Sequence, residues 1–493
     1  MTAVFINPNL LFQRNDPLTT GIVYMPISLA YVAAALRQAK IPIKVIDAFA
    51  ASPKQARKIE GFSVLGLSIE QILAEIPHDS KVFFLYAINL TNHHSLVEIC
   101  QALKQKYPDI PVVILENTQA VTAYALKHVA HEFYKIGADY ILTGEGDKRA
   151  VTLYQLLSTG ASVEELKQLD GLGCPEFYNP PVGKIKDLDE LPFPAWDLFP
   201  LKNYWSMSFA HGPLTEKKYM PLLTSRGCPY VCSFCVVPDT NNRKWRFRSA
   251  KNVVDEIQHY HDVYGVHEFH IEDLDPTISD DRIREICHEI LNRKLDVTWK
   301  IVAGTKIETI KNEESIRLMA KAGCRYISIS PETGSPELLK KMKKPFNLDH
   351  AVNLVRVMNE EGIRSQACFV LGFPEETDAD RALTRNLVKD LTKKGVDEIA
   401  LFIVTPVPGS SIFNKLHGYN SLSQLNFTPT WRDDYQLLSK FRLDLYKSFL
   451  FWKLRYYPFK IIRQAWNFLT RRFETKMEMV PFRAIVLRFI WGR

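Results

Sequence analysis

The chain has 493 residues, of which 46% are hydrophobic and 24% charged; that balance supports a large buried core in two or three domains and excludes global disorder. Its net charge of +7 is concentrated at one end: residues 440–493 carry 13 Lys/Arg against 3 Asp/Glu, so the rest is slightly acidic. No uninterrupted apolar run reaches the roughly 18 residues of a membrane-crossing helix, and residues 1–8 read as a first strand, not as a signal peptide.

Residues 1–158 alternate strand and helix. Strands are expected over 4–6, 44–47, 82–88, 112–115 and 140–143, with helices over 26–40 and 95–107. The run at 82–88 is continuously apolar, as in a strand covered on both faces. This alternation predicts an α/β, doubly wound parallel sheet of Rossmann-like type, whose ligands sit beyond the carboxyl ends of its strands. Residues 159–218 break the rhythm. The proline-punctuated stretch LPFPAWDLFP at 191–200 cannot be a long helix and reads as an ordered linker with aromatic anchors. Residues 219–415 resume the alternation, with strands expected over 221–224, 267–271, 298–302, 326–330, 367–371 and 398–404. Six such βα units predict a partial (β/α)6 TIM-type barrel. Residues 416–493 form a basic, aromatic helical tail.

Three of the eight cysteines fall within eight residues: residues 224–235 read TSRGCPYVCSFC. The spacing is C-x3-C-x2-C over Cys228, Cys232 and Cys235, directly after a predicted barrel strand. Three thiolates on one short loop can each hold a different iron of a cubane and leave the fourth iron open to another ligand. The alternatives are a zinc site, which usually has four ligands and often two C-x2-C pairs, and plain packing. Cys100, Cys174, Cys287, Cys324 and Cys368 are scattered singly and read as small buried apolar residues. Clustered cysteines without a secretion signal favour a metal site over disulfides and a reducing, cytoplasmic compartment.

C-x3-C-x-aromatic-C after a barrel strand resembles the radical S-adenosylmethionine (SAM) superfamily. The resemblance implies a 4Fe–4S cluster on Cys228, Cys232 and Cys235 whose open iron chelates SAM. It also implies reductive cleavage of SAM to a 5′-deoxyadenosyl radical, and an external electron donor of flavodoxin or ferredoxin type. Phe234 fills the aromatic slot near the adenine. Later segments resemble the same family in order along the chain: HIED at 270–273, SPETGS at 330–335, FVLGFPEET at 369–377 and TPVPGS at 405–410. They nominate Glu272, Asp273, Glu332 and Gly372 as SAM-binding residues.

The N-terminal region resembles the cobalamin-binding module of one large subgroup, on Asn7-Pro8, the helix beginning at Pro26, the strand ending at Asp47, TGEG at 143–146 and the proline-rich spacer. The resemblance nominates Asn7, Pro26, Gly144, Glu145 and Gly146 as cobalamin-binding residues. Two departures stand against it. There is no D-x-H-x-x-G motif, and Glu116-Asn117-Thr118-Gln119 stands where the subgroup has a glycine pair, so bulk and charge there could obstruct the cofactor. His93, His94, His128 and His131 read as surface or loop residues, not ligands.

The tail mixes basic and aromatic residues, with Arg483 and Arg488 interrupting its last apolar segment. Three readings stay open: a peripheral membrane contact through 440–493, a nucleic-acid surface, and packing onto the barrel with the arginines solvated. The expected activity is a cobalamin-dependent radical C-methyltransferase acting on an apolar or lipid-like substrate. The alternatives are radical cyclisation, oxidation or carbon–carbon coupling, and a non-catalytic iron–sulfur protein.

Overall fold

The computed structural model describes residues 1–14, 16 and 20–491; Gly492 and Arg493, the end of the predicted basic tail, lie outside the described residues. The first sheet contains β1 (Thr2–Asn7), β2 (Ile43–Asp47), β3 (Ser80–Ala87), β4 (Val112–Glu116), β5 (Tyr140–Leu142) and β6 (Leu172–Gly173). Its order is β2-β1-β3-β4-β5-β6, parallel throughout except for the antiparallel edge strand β6. Every residue of β1 is buried. Ala3 and Phe5 share one apolar cluster with α1 (Ile27–Gln38) and α3 (Gly146–Thr159), whereas Val4 and Ile6 share another with α2 (His93–Lys106). Alternate side chains therefore meet helices on opposite faces, which is why the strands read as unbroken apolar runs. A small antiparallel sheet of Leu10–Gln13, Ala56–Ile59 and Phe62–Leu65 was not anticipated. Its strands are only four residues long, too short for a clear alternation.

The second sheet contains β7 (Tyr219–Leu222), β8 (Glu268–Ile271), β9 (Thr298–Thr305), β10 (Cys324–Glu332), β11 (Arg364–Leu371) and β12 (Glu398–Ile403). All are parallel and neighbours in space follow neighbours in sequence. The crossovers carry α4 (Ala250–Tyr264), α5 (Asp280–Asn292), α6 (Glu313–Lys321), α7 (Leu348–Glu360) and α8 (Asp378–Lys393). With β7 and β12 at the edges, this all-parallel order is compatible with the expected partial barrel. Its interior is partly ionic: the buried Glu268 carboxylate pairs with Lys300 Nζ at 2.9 Å and His270 Nε2 at 2.9 Å. Burial opposes ionisation of Glu268, but Lys300 and then His270 outweigh it and hold the carboxyl at about 2.

The linker is ordered by its aromatic residues. Trp196 is fully buried and packs edge-on to Phe199 at 5.4 Å. Tyr204 donates its hydroxyl to Asp47 Oδ2 at 2.6 Å, tying the linker to the end of β2. One apolar cluster runs through Phe5 and Leu29, then Trp196, and on through Leu222, Ile301 and Phe369, so the two sheets share a core.

The tail forms α9 (Tyr435–Tyr456), α10 (Pro458–Thr470) and α11 (Lys476–Ile485), followed by a π-helical stretch Val486–Trp491. Helix α9 packs on α8 and β12 through Leu438, Leu445 and Phe449. Arg483 is 2% exposed, so it is not solvated as the packing alternative supposed; Arg488 is exposed. Among the described residues no helix is long and apolar enough to cross a membrane.

Candidate active site

The cysteine loop leaves the carboxyl end of β7 and returns to begin α4. Its base is a two-stranded antiparallel ladder, Ser225–Arg226 against Arg246–Phe247. At Gly227 φ is +82°, and a Cβ there would lie 2.0 Å from the Lys244 carbonyl oxygen, so only glycine fits this turn. Two carboxylates fasten the base. Asp273, just past β8, accepts the Thr224 N–H at 2.7 Å, the Thr224 hydroxyl at 2.6 Å and the Ser225 hydroxyl at 2.5 Å. Asp147, in the first turn of α3, accepts both terminal nitrogens of Arg226 at 2.7 and 3.1 Å. The Arg226 guanidinium also lies 4.9 Å from the Tyr31 ring. The loop is thus bolted to both sheets at its root.

Cys228, Cys232 and Cys235 are free thiols. Burial pushes the Cys228 thiol up to about 12 and raises Cys232 and Cys235 as well. Thiols in such a place ionise when a metal supplies positive charge. Cys235 Sγ already accepts the Val237 N–H at 3.4 Å. Among the described residues no three His, Cys, Asp or Glu side chains converge to hold a single metal ion. A cubane asks something different, one thiolate per iron, and three cysteines on one loop fit that demand.

Two cations absent from the sequence reading flank the loop. Lys344 is buried, meets Glu332 Oε1 at 2.5 Å and lies 5.9 Å from the Phe234 ring. Lys306 stands 4.6 Å from the Tyr230 ring. The SPETGS and FVLGFP segments gave no hint of Lys344, because it lies between them on an irregular stretch after the short helix Pro336–Lys341. Glu332 ends β10 with φ +64°, a left-handed conformation that costs a non-glycine residue about 1 kcal/mol or more. Its carboxylate is thereby aimed at Lys344, beside the cysteines.

The other nominated residues are dispersed. The Glu272 carboxylate lies 2.6 Å from His211 Nδ1, and the Tyr24 ring lies 4.6 Å from the His211 ring. Asp273 spends both oxygens on the root of the loop and presents no free carboxylate. Gly372 has φ +74°, and a Cβ there would lie 2.4 Å from Leu438 of α9 and 2.8 Å from Arg432. The tail, not an open ligand face, occupies that side of Gly372.

In the first sheet Asn7 Nδ2 donates to Asp47 Oδ1 at 3.0 Å, and Pro26 is the N-cap of α1. Gly144 is crowded by Pro181 and Gly146 by Leu115, each 2.7 Å from an added Cβ. Glu145 pairs with Arg246 across the seam between the sheets. Asn7 Oδ1 is buried without a hydrogen-bond partner. Glu116 corrects the expectation of an obstructing charge. Its carboxyl turns inward, accepting the Leu126 N–H at 2.9 Å and the Gly144 N–H at 2.6 Å, and burial pushes it up to about 7. Asn117 likewise donates to the Ile88 carbonyl at 2.7 Å. His93 also departs from its surface assignment: it is 3% exposed, sits between Tyr124 and Phe133, and burial holds it at about 4.

A crevice lies near the carboxyl ends of β3 and β4, lined by Tyr24, Asn89, Thr91, Thr122 and Phe427 among others. On the adjoining loop Gln119 Oε1 is buried without a hydrogen-bond partner. The crevice has a cavity volume of about 10 Å³, room for about one water molecule and far below an ordinary small-molecule pocket of roughly 300–1,000 Å³.

Residues 222–406 match the sequence model of the Radical SAM superfamily. The chain is 27% identical over 394 residues to an uncharacterized methyltransferase of Pyrococcus horikoshii, covering 75% of this chain and 80% of the relative. It is 26% identical over 455 residues to the cytidylyl-2-hydroxyethylphosphonate methyltransferase of Streptomyces wedmorensis, covering 84% and 81%. In fold it is similar to the radical SAM methyltransferase TsrM of Kitasatospora setae, solved with tryptophan and a SAM analogue, with a TM-score of 0.63 at 18% identity over 84% of this chain and 75% of that one. It is also similar to the cobalamin-dependent radical SAM enzyme OxsB with aqua-cobalamin bound, with a TM-score of 0.61 at 16% identity over 90% and 56%.

Proposed function

We propose, from the match of residues 222–406 to the Radical SAM superfamily, that this chain is a cobalamin-dependent C-methyltransferase acting on an apolar or lipid-like substrate. The observation that carries the radical chemistry is the loop of Cys228, Cys232 and Cys235, three thiols on one excursion with a fixed root, which would hold three irons of a cubane and leave the fourth without a protein ligand. A 4Fe–4S cluster and SAM, when bound there and reduced by an external donor of flavodoxin or ferredoxin type, supply the 5′-deoxyadenosyl radical that removes a substrate hydrogen. Cobalamin, when bound, supplies the methyl group.

This chain's own residues position and shield that chemistry. Asp273 and Asp147 fix the loop's root. Phe234 and the Lys344–Glu332 pair form one wall beside the thiols, where a charged group on the bound cofactor would meet a fixed counter-charge instead of mobile water. His211, Glu272 and Tyr24 are a second polar group, set at the carboxyl end of β8 and free of the loop. The methyltransferase names of the two relatives favour methyl transfer, and the fold likeness to a cobalamin-bound structure favours the cofactor.

The crevice fits cobalamin less well than the loop fits a cluster. Gln119 offers an unused buried acceptor, but the space is too small for a corrin, so binding requires the crevice to widen. That narrowness favours a second reading, radical cyclisation or oxidation without methyl transfer. Anaerobic equilibrium dialysis of the cluster-reconstituted protein against hydroxocobalamin separates the two. The proposal expects about one cobalamin retained per chain. No retention, in protein that still cleaves SAM, selects the second reading.

A further inference from the structure

Helix α10 is built inside out. Its inward positions are polar: Lys460, Gln464 and Asn467 are buried. Lys460 Nζ meets Asp397 Oδ1 at 2.9 Å, Gln464 Oε1 accepts from Lys453 Nζ at 2.8 Å, and Asn467 donates to Glu478 Oε1 at 3.1 Å. Its outward positions are apolar: Phe459, Ile462, Trp466 and Leu469 are 82%, 63%, 65% and 74% exposed. The spacing of three, four and three residues puts them on one face. A helix at a water-facing surface normally has the opposite polarity. Phe451 and Leu454, in the last two turns of α9, are also exposed. Side chains this large, aligned and uncovered mark a contact surface.

The charges around this stripe indicate what covers it. Arg455 precedes α10, Arg471 and Arg472 follow it, and all three are exposed. The acidic residues of the tail do not offset them. Glu478 is buried, Glu474 pairs with Arg364 at 2.8 Å and Arg463 at 3.2 Å, and Asp444 lies 3.7 Å from Lys447. Arg471 and Arg472 also line a cleft with Lys217, Lys218, His267 and one carboxylate, Glu216. An apolar stripe ending in a cationic cleft is complementary to acyl chains beneath anionic headgroups. A second copy of this chain would bring the same cations face to face, and the aliphatic Ile462 and Leu469 offer nucleic-acid bases no ring to stack on.

We propose that the outer face of α10 seats this protein on an anionic lipid bilayer, with the stripe in the acyl boundary and Arg455, Arg471 and Arg472 among the headgroups. The inference goes beyond methyl transfer and stands or falls separately from it. The test is flotation of the full-length, cluster-reconstituted protein with vesicles of phosphatidylcholine alone or with about one-third phosphatidylserine. The protein is expected to float with the anionic vesicles only, less so at high salt, with a blue-shifted tryptophan emission. A Phe459→Ser, Ile462→Ser, Trp466→Ser, Leu469→Ser variant is expected to lose roughly a hundredfold in partitioning. An Arg471→Gln, Arg472→Gln variant is expected to lose roughly tenfold. Both remove solvent-facing side chains and should keep the far-ultraviolet circular dichroism of the parent. Three results would overturn the proposal: no flotation of the parent, equal flotation of the quadruple variant, or self-association or oligonucleotide binding through this face in place of vesicle binding.

Discussion

Replacing Cys228, Cys232 and Cys235 together by alanine is expected to abolish iron binding. The parent, reconstituted anaerobically with iron and sulfide, should hold about four irons per chain and show the visible absorption of a thiolate-bound cluster. The triple variant should hold none and show no such band. The thiols sit on an excursion whose root is fixed elsewhere, by Asp273 and Asp147. The fold should therefore survive the substitution, and circular dichroism should be unchanged. Retention of the band in the triple variant would move the cluster to other ligands. The five remaining cysteines are a poor alternative, because they are scattered singly along the chain.

The second large effect is expected at Arg226. Its guanidinium and the Asp147 carboxylate form a two-pronged pair whose side chains are 5% and 3% exposed. Arg226→Met leaves Asp147 buried without its counter-charge, which costs about 3–5 kcal/mol. The pair joins the cluster loop to the first sheet, so the loss should appear twice: as a lower thermal midpoint and as poorer iron incorporation. Arg226→Met with Asp147→Leu removes both charges and should recover most of the midpoint. If the single variant melts with the parent, the pair does not clamp the two sheets. If the double variant incorporates iron as well as the parent, the clamp serves stability alone.

The regular architecture was legible because its physics is local. Apolar runs such as 82–88 marked strands covered on both faces, and the six strands after residue 219 follow one another in space as in sequence. The cysteine loop was legible because all three thiols are neighbours along the chain. What could not be read is what distant segments do to one another. Lys344 is brought to the cysteines by the turn after the short helix Pro336–Lys341, and no local pattern marks a lysine that will be buried. Gly144 and Gly146 were nominated by resemblance alone, and the sequence could not show that Pro181 and Leu115 stand where a Cβ at either would lie. Glu116 looked like an obstruction, yet it folds back onto two backbone N–H groups. Helix α10 was legible only in part. Its composition was visible, but only packing against Asp397 and Glu478 reveals that the polar face is the buried one.

The central claim is that the cysteine loop supports reductive cleavage of SAM. Its most direct test is anaerobic incubation of the reconstituted, dithionite-reduced protein with SAM, followed by mass spectrometry for 5′-deoxyadenosine and methionine. This account predicts both products in the parent and neither in the triple cysteine variant. A fully loaded and demonstrably reduced cluster that leaves SAM intact would contradict it.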